Sequence, residues 1–442
     1  MNVTLDELLA SREARAEKQR EMIAVHKAPL VSFTMNIAGP IKTSEMILRA
    51  FDLGVGLILR ELNGVNIKNR YEKRSKCGPV LIISVDCDVK KLKQLFTKIE
   101  DTHPLGRLFD IDVLDSAGNH LSRVGERGCM VCGAAGRGCA AGRLHSLLDI
   151  TSVTNKIMTD FFLEYDAQRI SDLAYDSLIR EVYTAPKPGL VDPESVGSHP
   201  DMCVRDFEVS ANALRPYFKE CFKAGFISKD DSEAKLFPTL RGLGIDAERE
   251  MYRATDGKNT HKGIIFSYGI ILGALGRLVS LDGPMPKIDE ILSEAGALCR
   301  PYLENDIKNF SGKTAGERAF IEGGARGIRG EAMDGFPTLL EIALPTYKDA
   351  ISSGKNKNDA GVITLLHLIA NVYDTCLYNR GGDGGVFYAQ RSAENILSSG
   401  DVSLDFVREM DKSFAEKNLS PGGCADLLAL TYFLSGLDDI SL

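Results

Sequence analysis

Residues 106–115 read GRLFDIDVLD, and the reading of this stretch decides how the first part of the chain folds. Leu108, Phe109, Ile111, Val113 and Leu114 are residue types of a buried strand, and Asp110 and Asp112 are set among them. Side chains alternate along a strand, so both carboxylates share one face and stand about 7 Å apart along it. Like charges on one face repel, and a cation between them offsets the cost. Two readings stay open on the pattern alone: a divalent metal held against a phosphate chain, or two solvated aspartates on the exposed face of an edge strand.

Working outward, APLVSFTMNIAGPIK (28–42) alternates like a strand and stops at Gly39-Pro40. CGPVLIISVDCD (77–88) is a second strand, and DVKKLKQLFTKIED (88–101) a helix after it. TLDELLASREARAEKQREMIAVH (4–26) opens with Thr4 and Glu7 in a capping box, which predicts an N-terminal helix. These elements predict an α/β (α+β) domain over residues 1–163 with a small mixed sheet. Beyond it the strand signals stop. Residues 154–185, 208–226, 261–280, 288–307, 360–378 and 424–437 all favour helix, several of them apolar nearly all round, so residues 164–442 are expected to be all-α.

At 442 residues the chain exceeds one ordinary core. A net charge of −8 argues against a general nucleic-acid or membrane-surface binder. No apolar run reaches the roughly 18 residues a membrane span needs, and the first residues carry no apolar signal core, so a cytoplasmic location is expected. In CMVCGAAGRGCAAGRLH (129–145), Cys129, Cys132, Cys139 and His145 have the spacing C-x2-C-x6-C-x5-H. This suits a tetrahedral Zn²⁺ site, the alternative being a glycine-rich loop of free thiols. Arg123, Arg127, Arg137 and Arg143 make the segment basic, and a zinc-containing nucleic-acid-binding protein with a helical regulatory domain is therefore a rival function.

In the second half, TAPKPGLVDPESVGSHPDM (184–202) gathers Lys187, Asp192, His199 and Asp201 in one loop. DGKNTHKGIIFSYG (256–269) sets Asn259, His261, Lys262 and Gly263 ahead of an apolar helix, where free backbone N–H groups favour an anion, although His261 also reads as a helix cap. GGARGIRGEA (323–332) offers Arg326 and Arg329 as a phosphate clamp, with Glu331 beside them. DTCLYNRGG (374–382) adds Asp374 and Arg380, and NLSPGGCADLLA (418–429) adds Asp426 on a second glycine-opened helix. Neither a Walker loop nor a G-x-G-x-x-G turn is present.

LVSFTMNIAGPIKTS, EDTHPLGRLFDIDVLD and CMVCGAAGRGCAAGRLHS, in this order, resemble holo-citrate lyase synthase, the apo-citrate lyase phosphoribosyl-dephospho-CoA transferase, over about residues 1–160. The resemblance implies a nucleotidyltransferase type of reaction. A serine of the acyl-carrier (gamma) subunit of apo-citrate lyase attacks the α-phosphate of a triphosphoribosyl-dephospho-CoA, and pyrophosphate leaves. It implies Asp110 and Asp112 as Mg²⁺ ligands, and Asn36, Lys42 and Arg107 on the triphosphate. For Lys42 and Arg107, ordinary surface charge is the alternative.

TAPKPGLVD, NTHKGIIFSYG, TAGERAFIEGGARGIRGEA and SPGGCADLLA resemble triphosphoribosyl-dephospho-CoA synthase over about residues 165–442. That family displaces adenine from ATP with the 2'-hydroxyl of 3'-dephospho-CoA, with Mg²⁺ expected here as well. Read from these loops and helix starts, Lys187, His199, Asn259, His261, Lys262, Arg326, Arg329, Arg380 and Asp426 are the expected substrate-binding residues. One displacement at the anomeric carbon needs a carboxylate base, for which Asp192, Asp201, Glu331 and Asp374 are the candidates. A Mg²⁺-dependent N-glycoside hydrolase, with water in place of the hydroxyl, is the remaining alternative. Together the two resemblances imply a multifunctional transferase that makes and then attaches the citrate lyase prosthetic group.

Overall fold

The computed structural model describes residues 2–230, 235–312, 315–324, 326–400, 402–438 and 440. Two compact units are present: Met1–Glu164 with Leu281–Gly283, and Tyr165–Ser280 with Pro284–Leu442.

The first unit runs α1 (Leu5–His26), β1 (Leu30–Met35), α2 (Glu45–Glu61), β2 (Asn66–Lys73), β3 (Val80–Asp86), α3 (Val89–Thr102), β4 (Phe109–Leu114) and α4 (Gly136–Gly142). The helix starts are set locally. Thr4 and Glu7 close the capping box on α1, Ser44 accepts from Ile47 N at 3.3 Å, and Asp88 accepts from Lys91 N at 2.8 Å. From β1 to β4 the chain order is β-α-β-β-α-β and the sheet order is β2-β3-β1-β4, a split βαβ arrangement.

Every ladder is antiparallel, which corrects the expected mixed sheet. The strands that do run parallel are never neighbours, since β1 separates β3 from β4 and β3 separates β2 from β1. Strand β2, NIKNRYEK, was not among the expected strands. It lies at a sheet edge with an almost wholly exposed sequence, so it carries no alternation to read.

One face of the sheet is covered by α2 and α3. Phe33 stacks on Phe51 at 4.9 Å and meets Phe109 edge-on at 5.4 Å. The register pairs Thr34 with Asp110 and Ser32 with Asp112, which puts all four on the other face, towards α1. There Gln19 Nε2 donates to Ser32 Oγ at 2.9 Å and Arg15 Nη1 to Thr34 Oγ1 at 3.2 Å.

The division between the units falls within α5 (Leu147–Tyr183). The second unit continues with α6 (Val204–Ile227), α7 (Leu236–Ala254), α8 (Lys262–Leu278), α9 (Ile288–Lys308), α10 (Ala315–Gly323), α11 (Gly327–Met333), α12 (Leu344–Ser352), α13 (Lys357–Asn371), α14 (Thr375–Leu397), α15 (Leu404–Glu416) and α16 (Gly422–Leu437). Helices α6 and α8 approach backbone to backbone, because a Cβ on Gly225 or Gly276 would stand 2.0 Å from a carbonyl oxygen of the other helix. The apolar run 360–378 is not one helix: α13 ends at Asn371, and Asp374 in extended conformation caps a new helix, α14. Among the described residues no single helix is long and apolar enough to cross a membrane.

Candidate active sites

Strand β4 is the second edge of the first unit's sheet, and side chains bond the outer backbone groups of Phe109 and Ile111. Buried Glu100 accepts from Ile111 N at 2.9 Å, and Lys93 Nζ donates to Ile111 O at 3.0 Å. Arg127 donates to Phe109 O at 3.1 Å and Gly106 O at 3.0 Å, and pairs with Glu100 at 3.4 Å. Burial pushes the Glu100 carboxyl up and the Arg127 guanidinium down.

The strand held in this way presents Asp110 and Asp112 to a cavity of about 950 Å³, into which Asn36, Arg107, His120 and the Cys/His segment also face. The Asp110 carboxyl is raised by the protein packed around it and by Asp112, with Arg15 and a 3.4 Å hydrogen bond from Thr34 Oγ1 opposing. Asp112 has His120 Nδ1 at 3.9 Å. Two carboxylates on one concave wall are a donor set that suits a hard divalent cation. Of the residues expected on the triphosphate, Asn36 lines this cavity beside Asp110. Arg107 lines it with its guanidinium on Gly128 O, and Lys42 donates to Ile37 O in a smaller adjoining cavity.

Cys129, Cys132, Cys139 and His145 converge with their ligand atoms within 4.8 Å of one another. Cys132 Sγ is 3.5 Å from Cys139 Sγ and 3.3 Å from His145 Nε2. Tetrahedral zinc with bonds of about 2.3 Å to sulfur places sulfurs about 3.8 Å apart, so the four fit one ion. The N–H groups of Cys132 and Val131 bring the Cys129 thiol down to about 7. Hydrogen bonding to Cys132, with burial, puts Cys139 up to about 11.

In the second unit, the first turns of α8, α14 and α16 meet at a wall shared by two cavities of about 460 and 700 Å³. Gly263, Thr375, Cys376 and Asp426 line both. A Cβ on Gly263 would lie 2.2 Å from Asp426 Oδ2, so a side chain here would push that carboxylate from its place against the α8 start. Burial first, then Glu181 and Asp374, raise the Asp426 carboxyl well above the usual range. Asp374 is buried and joins two of the helix starts: Oδ1 accepts from Cys376 N at 2.6 Å and Leu377 N at 3.2 Å, Oδ2 from Cys424 N at 2.9 Å.

The smaller of these cavities holds Arg326, ion-paired with Asp334, and Glu331, which accepts from Thr338 Oγ1 at 2.7 Å. The larger holds Lys187, His199, Asp201, Asn259, His261, Lys262 and Arg380. Lys187 is buried in an ion pair with Glu181. His261 bonds Ser210 Oγ through Nδ1 at 2.6 Å and leaves Nε2 buried without a hydrogen-bond partner. Its imidazole is pushed down to about 3 by burial and then by Lys187. His199, bonded to Ser420 Oγ at 2.8 Å, is pushed down to about 4 by burial and then by Arg380. Both imidazoles are neutral at pH 7.

A family model described as CitG, ATP:dephospho-CoA triphosphoribosyl transferase, matches residues 167–441, and one described as CitX, apo-citrate lyase phosphoribosyl-dephospho-CoA transferase, matches residues 3–161. The chain belongs to the CitX–CitG fusion family. It is 33% identical to Protein CitXG of Haemophilus influenzae over 450 residues, covering 98% of this chain and 96% of that protein. To Protein CitXG of Leuconostoc mesenteroides subsp. cremoris it is 33% identical over 464 residues, covering 98% and 97%. As a CitX–CitG fusion it is a bifunctional transferase that makes the prosthetic group of citrate lyase from ATP and dephospho-CoA and attaches it to the apo-citrate lyase acyl carrier. Nucleic-acid binding and N-glycoside hydrolysis are the activity of neither matched family.

Not every expected residue of this CitX–CitG chain reaches a cavity. Asp192 is buried in its own loop, where it accepts from Lys187 N at 2.7 Å, Glu194 N at 2.7 Å and Ser195 N at 2.9 Å. Arg329 lies 5.0 Å over the Phe310 ring and does not line the cavity that Arg326 lines. Asn259 accepts from Lys262 N at 3.3 Å at the α8 start, while His261 makes no side-chain cap bond. Glu181 and Ser210 were not expected, since each is a single polar residue on a long helix with no spacing that marks it. Glu100, a lone acid on α3, gave as little signal, and Arg127 was read only as one of the basic residues of its loop, with nothing in the spacing to tie it to β4.

Proposed function

We propose that residues 164–442 carry out the synthase step and residues 1–163 the attachment step, with the residue roles that follow. In the synthase unit, the meeting of three helix N-termini at a wall between two cavities carries the reading, since the helix dipoles and the first-turn N–H groups that Asp374 and Asn259 leave unoccupied favour a phosphate chain. The ATP triphosphate then lies in the smaller cavity with Arg326, and 3'-dephospho-CoA enters the larger one, past Lys187, His199, Lys262 and Arg380. Asp426 stands at the junction, where the 2'-hydroxyl must meet the anomeric carbon. Its raised proton affinity suits a group that takes the hydroxyl proton.

Asp192 and Asp374 have both carboxylate oxygens held by backbone N–H groups and are assigned to positioning the loop and the helix starts. Asp201 and Glu331 line the walls as binding residues. Neutral His261, with Nε2 buried and without a hydrogen-bond partner at the wall of the larger cavity, is assigned to holding 3'-dephospho-CoA there.

In the attachment unit, Asp110 and Asp112 would hold Mg²⁺, which when bound neutralises charge on the phosphate chain; a further Mg²⁺ would accompany ATP. Asn36 and Arg107 orient the substrate in the large cavity. Cys129, Cys132, Cys139 and His145 would hold one structural Zn²⁺, four protein ligands leaving no open position. The acceptor is a serine of the gamma subunit of apo-citrate lyase. Ten cysteines, all unpaired, support a reducing, cytoplasmic setting. Adenine release by Asp426→Asn tests the central assignment: loss of roughly 10² or more in kcat is expected of a general base, and wild-type turnover would remove Asp426 from that role.

A further inference from the structure

Asp110 and Asn36 line two cavities of the first unit at once. Besides the one of about 950 Å³ there is a second of about 160 Å³, bounded by the start of α1, β1 and the segment 77–80. That volume is below the several hundred Å³ of a drug-sized ligand site and suits a small ion. Arg12, Arg15 and Lys42 all line it, and among the described residues Asp110 is the only carboxylate that does. Among the described residues none of these three cations makes an ion pair. Arg12 is exposed, Arg15 donates to Thr34 Oγ1, and Lys42 donates to Ile37 O. Burial and the nearby Arg12 charge both lower the Lys42 ammonium. Three cations gathered round one small cavity repel one another, so an anion that enters gains from all three.

We propose that Arg12, Arg15 and Lys42 form the receptacle for the departing diphosphate, with Asp110 and Asn36 in the wall between it and the larger cavity. This rests on the assignment of attachment to the first unit. The phosphoribosyl-dephospho-CoA portion occupies the larger cavity, and the chain of phosphates passes the Asp110 wall into the smaller. The serine Oγ forms a bond to the α-phosphorus there. The bond from that phosphorus to the bridging oxygen breaks, its electron pair leaves with the diphosphate, and the hydroxyl proton passes to water. Charge that develops on the departing oxygens falls beside the three cations, where it is stabilised most. Pattern reading could not find Arg12 and Arg15, because they lie on a helix that is polar almost all round.

The test uses the full chain, preformed triphosphoribosyl-dephospho-CoA, apo-carrier and excess Mg²⁺, and measures inhibition of carrier loading by inorganic pyrophosphate. Arg12→Gln and Arg15→Gln should each weaken that inhibition by roughly tenfold, the scale of one charge-assisted contact, with adenine release from ATP and dephospho-CoA unchanged as a check of folding. Wild-type inhibition constants in both variants would overturn the receptacle while leaving the attachment assignment standing. If residues 1–163 do not attach the group at all, Asp110→Asn loads the carrier normally, which is a different and separately visible failure.

Discussion

Asp110 and Asp112 share the sheet face that alternation requires, and the register places them opposite Thr34 and Ser32 beneath α1. Asp110→Asn and Asp112→Asn should each abolish carrier loading and leave adenine release intact, followed by mass spectrometry of the carrier. Normal loading by either variant with Mg²⁺ present would remove its carboxylate as a ligand. Arg326 and Arg329 were read as a pair from their spacing, yet Arg329 stacks on Phe310 and Arg326 alone lines the cavity. Arg326→Ala should raise the KM for ATP roughly tenfold, while Arg329→Ala should leave it within about twofold, and equal effects would restore the clamp. His261 gives a pH test. Its folded-state pKa of about 3 lies below the ordinary 6.5, so acid protonates the unfolded chain first. The stability advantage of wild type over His261→Asn should therefore be constant above pH 7 and shrink as pH falls from 6.5, by at most about 1.4 kcal/mol per pH unit. Denaturant titrations of both proteins at pH 5 and pH 7.5 measure it, and a difference independent of pH would mean that the imidazole is accessible to protons.

At the scale of elements, the sequence was readable where burial imposes a period and unreadable where it does not. The strands β1, β3 and β4 each bury one or both faces and stand out, whereas β2 is charged and lies at an edge, held by backbone pairing to β3. The break between α13 and α14 was hidden because the apolar pattern continues across it; its cause is one side chain, Asp374, satisfying N–H groups of two separate helices. For the Cys/His segment, spacing did foretell convergence of four ligand atoms, since short loops leave them little room to separate. One zinc per chain is expected, lost in Cys132→Ser together with several degrees of melting temperature. Less than about 0.2 zinc per chain, with thiols kept reduced, would leave the four residues as a thiol-rich loop.

Across the whole molecule, two sets of motifs in one chain correspond to consecutive reactions, the product of one being the substrate of the other. That much was legible because motifs of short, contiguous residues survive as patterns. The ranking of carboxylates was not, because it depends on which oxygens the backbone already occupies, as with Asp192 and Asp374, and which face a cavity unoccupied by such bonds, as with Asp426. The most direct measurement of the central claim is mass spectrometry of the purified chain with ATP, dephospho-CoA and Mg²⁺, before and after addition of the apo-carrier. The account predicts adenine and triphosphoribosyl-dephospho-CoA in equal amounts first, then a carrier heavier by the phosphoribosyl-dephospho-CoA group with pyrophosphate released. Adenine appearing without dephospho-CoA, or an intermediate that the same chain never transfers, would contradict it.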